Sequence, residues 1–85
     1  MMLIASTQEA PRFAEQRSRW LVGEFVESYV RWREAAGAAN DAYARWTGAG
    51  RPRREIAFAA YRAALDGEEF AARAHRKCAE RIARA

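Results

Sequence analysis

The chain is short of cysteine, proline, histidine, lysine and β-branched residues, and it has no long apolar run. A single cysteine, Cys78, in 85 residues can form neither an internal disulfide nor a multi-cysteine zinc cluster. A disulfide scaffold is therefore excluded, and a reduced thiol is expected. No stretch approaches the roughly 20 apolar residues of a membrane span. The opening Met1-Met2-Leu3-Ile4-Ala5 lacks a basic n-region and has about half the apolar length of a signal-peptide core. The expectations are a cytoplasmic location and no membrane partner. With three valines and three isoleucines, the chain has little with which to build a sheet.

What is present favours helix. Alanine, the strongest helix former, supplies 21 residues. Fourteen arginines against one lysine, together with that alanine, are the composition a GC-rich bacterial genome encodes. At 31% charged and 51% hydrophobic residues the chain is too apolar to be a disordered tail. Its length suits one domain with a thin core, which points toward a partner.

Ser6-Thr7-Gln8-Glu9 fits a capping box and Pro11 suits a first turn, so helix one is expected to begin between Thr7 and Arg12. From there Val22, Phe25, Tyr29, Trp32, Ala36, Ala39, Tyr43 and Trp46 alternate steps of three and four, which is a heptad seam. The seam keeps phase across Gly37 and Asn40, so one long helix is expected, with a break there as the alternative. Aromatic residues hold its ends, while Ala36 and Ala39 form a waist where another helix can approach closely.

Thr47-Gly48-Ala49-Gly50-Arg51-Pro52 ends the first helix, its glycines offering left-handed backbone and Pro52 a new first turn. Helix two is expected to place Ala57, Ala60, Tyr61, Ala64, Gly67, Ala71, Ala74, Cys78 and Ile82 on one broad, small-residue face, widened by Phe58, Leu65, Ala72 and Ala79. Such a face can receive the aromatics of helix one. Five acid-first pairs four residues apart, Glu15–Arg19, Glu27–Arg31, Asp41–Arg45, Glu69–Arg73 and Glu80–Arg84, mark solvated helical faces.

The fold class is therefore all-α: one antiparallel hairpin with helix one at about 8–46, a turn at 47–52 and helix two at about 53–84. Two helices cannot cover both the main seam and Phe13, Trp20, Leu21, Val26 and Val30 beside it. Dimerisation into a four-helix bundle, or docking on another helical protein, is expected. The packing and partner residues are Phe25, Tyr29, Trp32, Ala36, Ala39, Tyr43, Trp46 and Tyr61.

The residues that could carry chemistry are few. His75, Cys78 and Glu68 project toward one side of helix two, but no Glu-x-x-His pair occurs, so no metal or cofactor is assigned. Glu68 and Glu69 are neighbours, point about 100° apart on a helix, and read as surface charges. Serines and threonines are sparse, and none has a nucleophile elbow, so no catalytic residues are assigned. Arg51, Arg53 and Arg54 cluster at the start of helix two, where a phosphate or nucleic-acid contact is an alternative reading. No helix-turn-helix or β-ribbon is present, so specific DNA reading is not expected.

Trp46-Thr47-Gly48 resembles the Trp-x-Gly signature of the small type VII secretion substrates. The resemblance implies a helical hairpin that dimerises, with Trp46 and Gly48 as its turn signature and the helix faces as its partner surface. That family also carries a Tyr-x-x-x-Asp/Glu export signal. The residues four beyond Tyr29, Tyr43 and Tyr61 are Arg33, Thr47 and Leu65, so the signal is missing.

Overall fold

A computed structural model describes the backbone of residues 2–85 and the side chains of residues 12–85. It contains two α-helices, α1 (Met2–Gly48) and α2 (Arg51–Arg84), folded against each other as an antiparallel hairpin. The molecule is a rod of 77 × 16 × 13 Å, and α1 alone accounts for about 70 Å of it at 1.5 Å per residue.

α1 is longer than its expected bounds at both ends. It starts at Met2 rather than near residue 8, and the capping side chains Ser6 to Glu9 lie outside the described side chains. It also runs unbroken through Gly37 and Asn40, because the row of alanines around them packs against α2 and holds the helical phase. At the other end it extends through Thr47 and Gly48, so the connection is only Ala49-Gly50.

The turn does not use left-handed backbone: among the described residues none has positive φ. Gly50 is extended, with φ −75° and ψ 169°, and Pro52 sits in the first turn of α2, where its missing N–H costs nothing. The Ala49 N–H donates to the Trp46 carbonyl at 3.2 Å and the Arg53 N–H to the Gly50 carbonyl at 3.1 Å. The reversal is thus made by one extended residue between two helical turns.

Register is set by Ser28 and His75, which meet across the hairpin. One heptad further toward the turn, Ala35 lies level with Glu68, and another heptad on, Ala42 lies level with Tyr61. Leu21, Phe25, Ser28, Trp32, Ala35, Ala39, Ala42 and Trp46 form the contact line of α1, each half-buried or buried. On α2 the line is Ala57, Tyr61, Ala64, Glu68, Ala71, His75, Cys78 and Ile82. Among the described residues only Ala39, Ala42 and Ser28 fall below a tenth exposed, as expected where two rods share a single line of contact.

Both helix faces differ from the sequence expectation in the same informative way. On α1, Phe25, Trp32, Ala39 and Trp46 meet α2 as anticipated. Val22, Tyr29, Ala36 and Tyr43 lie one residue off the contact line, and Val22, Tyr29 and Tyr43 remain about half exposed. On α2, Ala60, Gly67 and Ala74 face solvent, and the polar Glu68 and His75 stand on the contact line instead. On α1 the small row Ser28, Ala35 and Ala42 shares the contact line with Phe25, Trp32 and Trp46, and Val22, Tyr29 and Tyr43 stand on its flank.

Of the five expected ion pairs, three are formed: Arg31–Glu27 at 3.9 Å, Arg73–Glu69 at 2.5 Å and Arg84–Glu80 at 3.9 Å. All are solvent-exposed pairs within one helix, and pairs of this kind contribute about 0.3–0.5 kcal/mol each.

Candidate interaction face

The two-helix layer has two unlike broad faces. Trp46 touches Phe58 with ring centroids 4.9 Å apart, which puts the flanking row of α2, Phe58, Leu65, Ala72 and Ala79, on the same side as Val22, Tyr29, Ala36 and Tyr43 of α1. These two rows contain no charged residue. Beyond them on α1, Val26 and Val30 are also about half exposed. The opposite face carries Glu24, Arg31, Arg45, Arg53 and Arg81 among Ala38, Ala60, Gly67 and Ala74.

Two aromatic clusters border the uncharged face. Near the turn, Tyr43, Trp46, Phe58 and Tyr61 pack together: Trp46 stacks on Tyr61 at 5.5 Å and Tyr43 meets Tyr61 edge-on at 5.4 Å. Toward the other end, His75 is surrounded by rings of α1, with Phe25 at 4.6 Å, Trp32 stacked at 5.6 Å and Tyr29 edge-on at 5.7 Å. Such contacts add about 0.5–1.5 kcal/mol per aromatic pair beyond area burial. The expected packing residues Phe25, Tyr29, Trp32, Tyr43, Trp46 and Tyr61 are thus divided between two clusters, with the Ala36 and Ala39 waist between them.

His75 also makes the one side-chain hydrogen bond across the hairpin among the described residues. Its Nδ1 lies 2.8 Å from Ser28 Oγ, and Ser28 Oγ donates to the Phe25 carbonyl, also at 2.8 Å. A hydroxyl has one proton. With that proton on the Phe25 carbonyl, the His75 Nδ1–H donates to Ser28 Oγ. In that arrangement the hydroxyl is held by the Phe25 carbonyl and accepts from the imidazole.

Glu68 is half-buried on the contact line, level with Ala35, so it is not the surface charge that the adjacent pair Glu68-Glu69 suggested; Glu69 is exposed. Glu68→Leu should stabilise the hairpin by about 1 kcal/mol, through added apolar burial on the contact line. Urea unfolding checks this, and an unchanged midpoint would place Glu68 in full contact with solvent.

His75 and Cys78 are both half-buried on the contact line, and among the described residues no three His, Cys, Asp or Glu side chains are grouped to hold a metal ion. The turn arginines are not gathered at one point. Arg53 and Arg45 border an open groove of about 640 Å³ floored by Ala42, Ala49 and Ala57, Arg54 borders a second groove of about 350 Å³ beside Trp46 and Thr47, and Arg51 borders neither.

The pattern that marks the contact line is a size pattern rather than a hydrophobic one. Ser28, Ala35 and Ala42 recur every seven residues on α1, with Ala49 continuing the spacing into the connection, as do Ala57, Ala64, Ala71 and Cys78 on α2. Ser28 itself could be found only this way, since nothing about an isolated serine announces a buried position.

No protein-family model matches the chain, and comparisons with curated proteins and with solved structures find no match.

Proposed function

We propose that this chain is a non-catalytic helical interaction module that self-associates or docks on a helical protein partner through its uncharged face. The observation that supports it is an angular offset. The contact line of α1 and its large-residue stripe share every second member, and the remaining members differ by one residue. One residue is about 100° of helix, so the stripe points about 50° away from α2. Val22, Tyr29 and Tyr43 are left 53%, 46% and 50% exposed along a row without charge. Scattered exposed apolar residues need no explanation, but a continuous charge-free stripe two helices wide is the mark of a docking surface.

A second reading, a secreted Trp-x-Gly-type hairpin, has support in the placement of Trp46-Thr47-Gly48 in the last turn of α1, next to the two-residue connection. It predicts export that depends on a type VII system, and retention in the cell would dispose of it.

The main reading is tested with the double variant Val26→Lys/Tyr43→Lys, whose changes lie on exposed positions and should leave the helical circular dichroism intact. Wild type should show association, either with itself by light scattering or with a helical protein in co-purification from the host, and the variant should lose it. Equal association of the two proteins, or none by the wild type, would refute the reading.

A further inference from the structure

We infer that the occupant of the uncharged face is a second copy of this chain, stacked with its two-fold axis parallel to the helices so that both turns lie at the same end of a four-helix bundle. This inference rests on the interaction-module reading and commits it to one partner and one arrangement. In a square of four helices, the direction to the bundle centre bisects the right angle between a helix's two neighbours, about 45° from either contact line. The stripe of α1 points about 50° from its line of contact with α2, which is the direction a second pair of helices would require.

Symmetry then fixes the register. A two-fold axis along the bundle permits no axial slip, so residues that are level within one hairpin are also level between copies. α1 lies against α2 of the second copy, antiparallel to it as to its own α2, and every neighbouring pair has opposed helix dipoles. Tyr29 comes to the level of Ala72 of the second copy and Ala36 to that of Leu65 of the second copy, within about 3 Å along the axis. At these two levels a large side chain meets a small one, and at the turn end Tyr43 lies level with Phe58 of the second copy, ring against ring.

Charge complementarity selects this arrangement over its alternative. Arg33 is the one charge of α1 just outside the stripe between Val22 and Tyr43; the corresponding row of α2 holds Arg62, Glu69 and Arg76, of which Glu69, also paired with Arg73 of its own helix, is the one level with Arg33. In the proposed stack Arg33 lies level with Glu69 of the second copy, and symmetry makes the pair twice. If the copy is instead turned end for end about the middle of the α1 stripe, Arg33 meets Arg33. The rows Val22–Tyr43 and Phe58–Ala79 are each about 33 Å long, and across the 16 Å breadth of the layer they give about 530 Å² per copy. The two together give about 1,060 Å², just above the roughly 1,000 Å² that a biological interface should clear.

Sedimentation equilibrium on wild type, Arg33→Glu, Glu69→Arg and the charge-swapped double variant tests the pairing. Wild type should sediment at about twice its 9.6 kDa. Each single variant should weaken the dimer about tenfold, and the double variant should return to within about threefold of wild type. The arrangement is read separately from spin labels on Gly50→Cys in a Cys78→Ala background. A Cβ at Gly50 meets only Pro52, at 4.0 Å, so the label is tolerated. Turns at one end predict a label separation of about 20 Å, whereas opposed turns predict about 50 Å, the length of α2. A single-chain mass up to about 1 mM overturns the second copy, and it leaves the broader reading standing only if Val26→Lys/Tyr43→Lys still abolishes capture of a helical protein. A dimer without rescue by the charge swap, or with the long separation, overturns the arrangement.

Discussion

Replacing Ala39 or Ala42 by leucine is expected to cost about 1–3 kcal/mol of hairpin stability, because each would force three extra carbons into a contact that has no room for them. These are the only apolar side chains below a tenth exposed among the described residues, at 4% and 3%. Ala39 lies between the two aromatic clusters and Ala42 level with Tyr61 at the turn-end cluster, both on the line where α1 meets α2. In a domain of this size each kcal/mol moves the melting midpoint by about 4–8 °C, so the loss is read directly from thermal unfolding. Ala38→Leu is the control: Ala38 is exposed, and the same enlargement there should change stability by less than about 0.5 kcal/mol. Equal effects at Ala38 and Ala39 would mean that the alanine row is not the point of closest approach. The contrast with Ala36 is equally informative. It lies one residue off the contact line, and leucine there should leave the lone hairpin largely intact.

The difference between Ala36 and Ala39 shows which parts of this fold were legible in the sequence. Helix, reversal and antiparallel pairing follow from alanine content, acid-first charge pairs and the Gly-Pro cluster, all local properties of the chain. The direction in which each helix faces its partner is not local. Hydrophobic periodicity picks the largest apolar residues, Tyr29 and Tyr43 among them, and assumes that they point at the neighbour. In a hairpin this thin, backbone approach is limited by the small row instead, so Ser28, Ala35 and Ala42 take the contact line and the tyrosines are turned to its flank. On α2 side-chain size does not decide the matter: Glu68 and His75 stand on the contact line while the smaller Ala60, Gly67 and Ala74 face solvent. Gly48 and Gly50 were also misread for a physical reason: glycine permits left-handed backbone without requiring it, and an extended Gly50 ahead of Pro52 achieves the reversal. The large-residue stripe remains meaningful, because its direction records a neighbour that a single hairpin does not contain.

Ser28→Ala should destabilise the hairpin by about 1–2 kcal/mol, since it strands the His75 Nδ1–H among the rings of Phe25, Tyr29 and Trp32 with no acceptor. The double variant Ser28→Ala/His75→Leu removes donor and acceptor together and should recover most of that loss, because apolar replacement of both partners is close to neutral. The resulting coupling energy, about 1 kcal/mol in a double-mutant cycle, separates a hydrogen bond from simple packing. A purely steric role for His75 predicts additive losses instead. The bond also leaves a spectroscopic mark. With the Ser28 proton on the Phe25 carbonyl, the neutral imidazole is expected to carry its proton on Nδ1, and nitrogen chemical shifts of His75 distinguish that tautomer from the Nε2–H form. In Ser28→Ala the preference for Nδ1–H should disappear. If wild-type His75 held its proton on Nε2, the two-bond chain from imidazole through hydroxyl to backbone would be wrong, and the register that places Ser28 against His75 would lose its polar anchor.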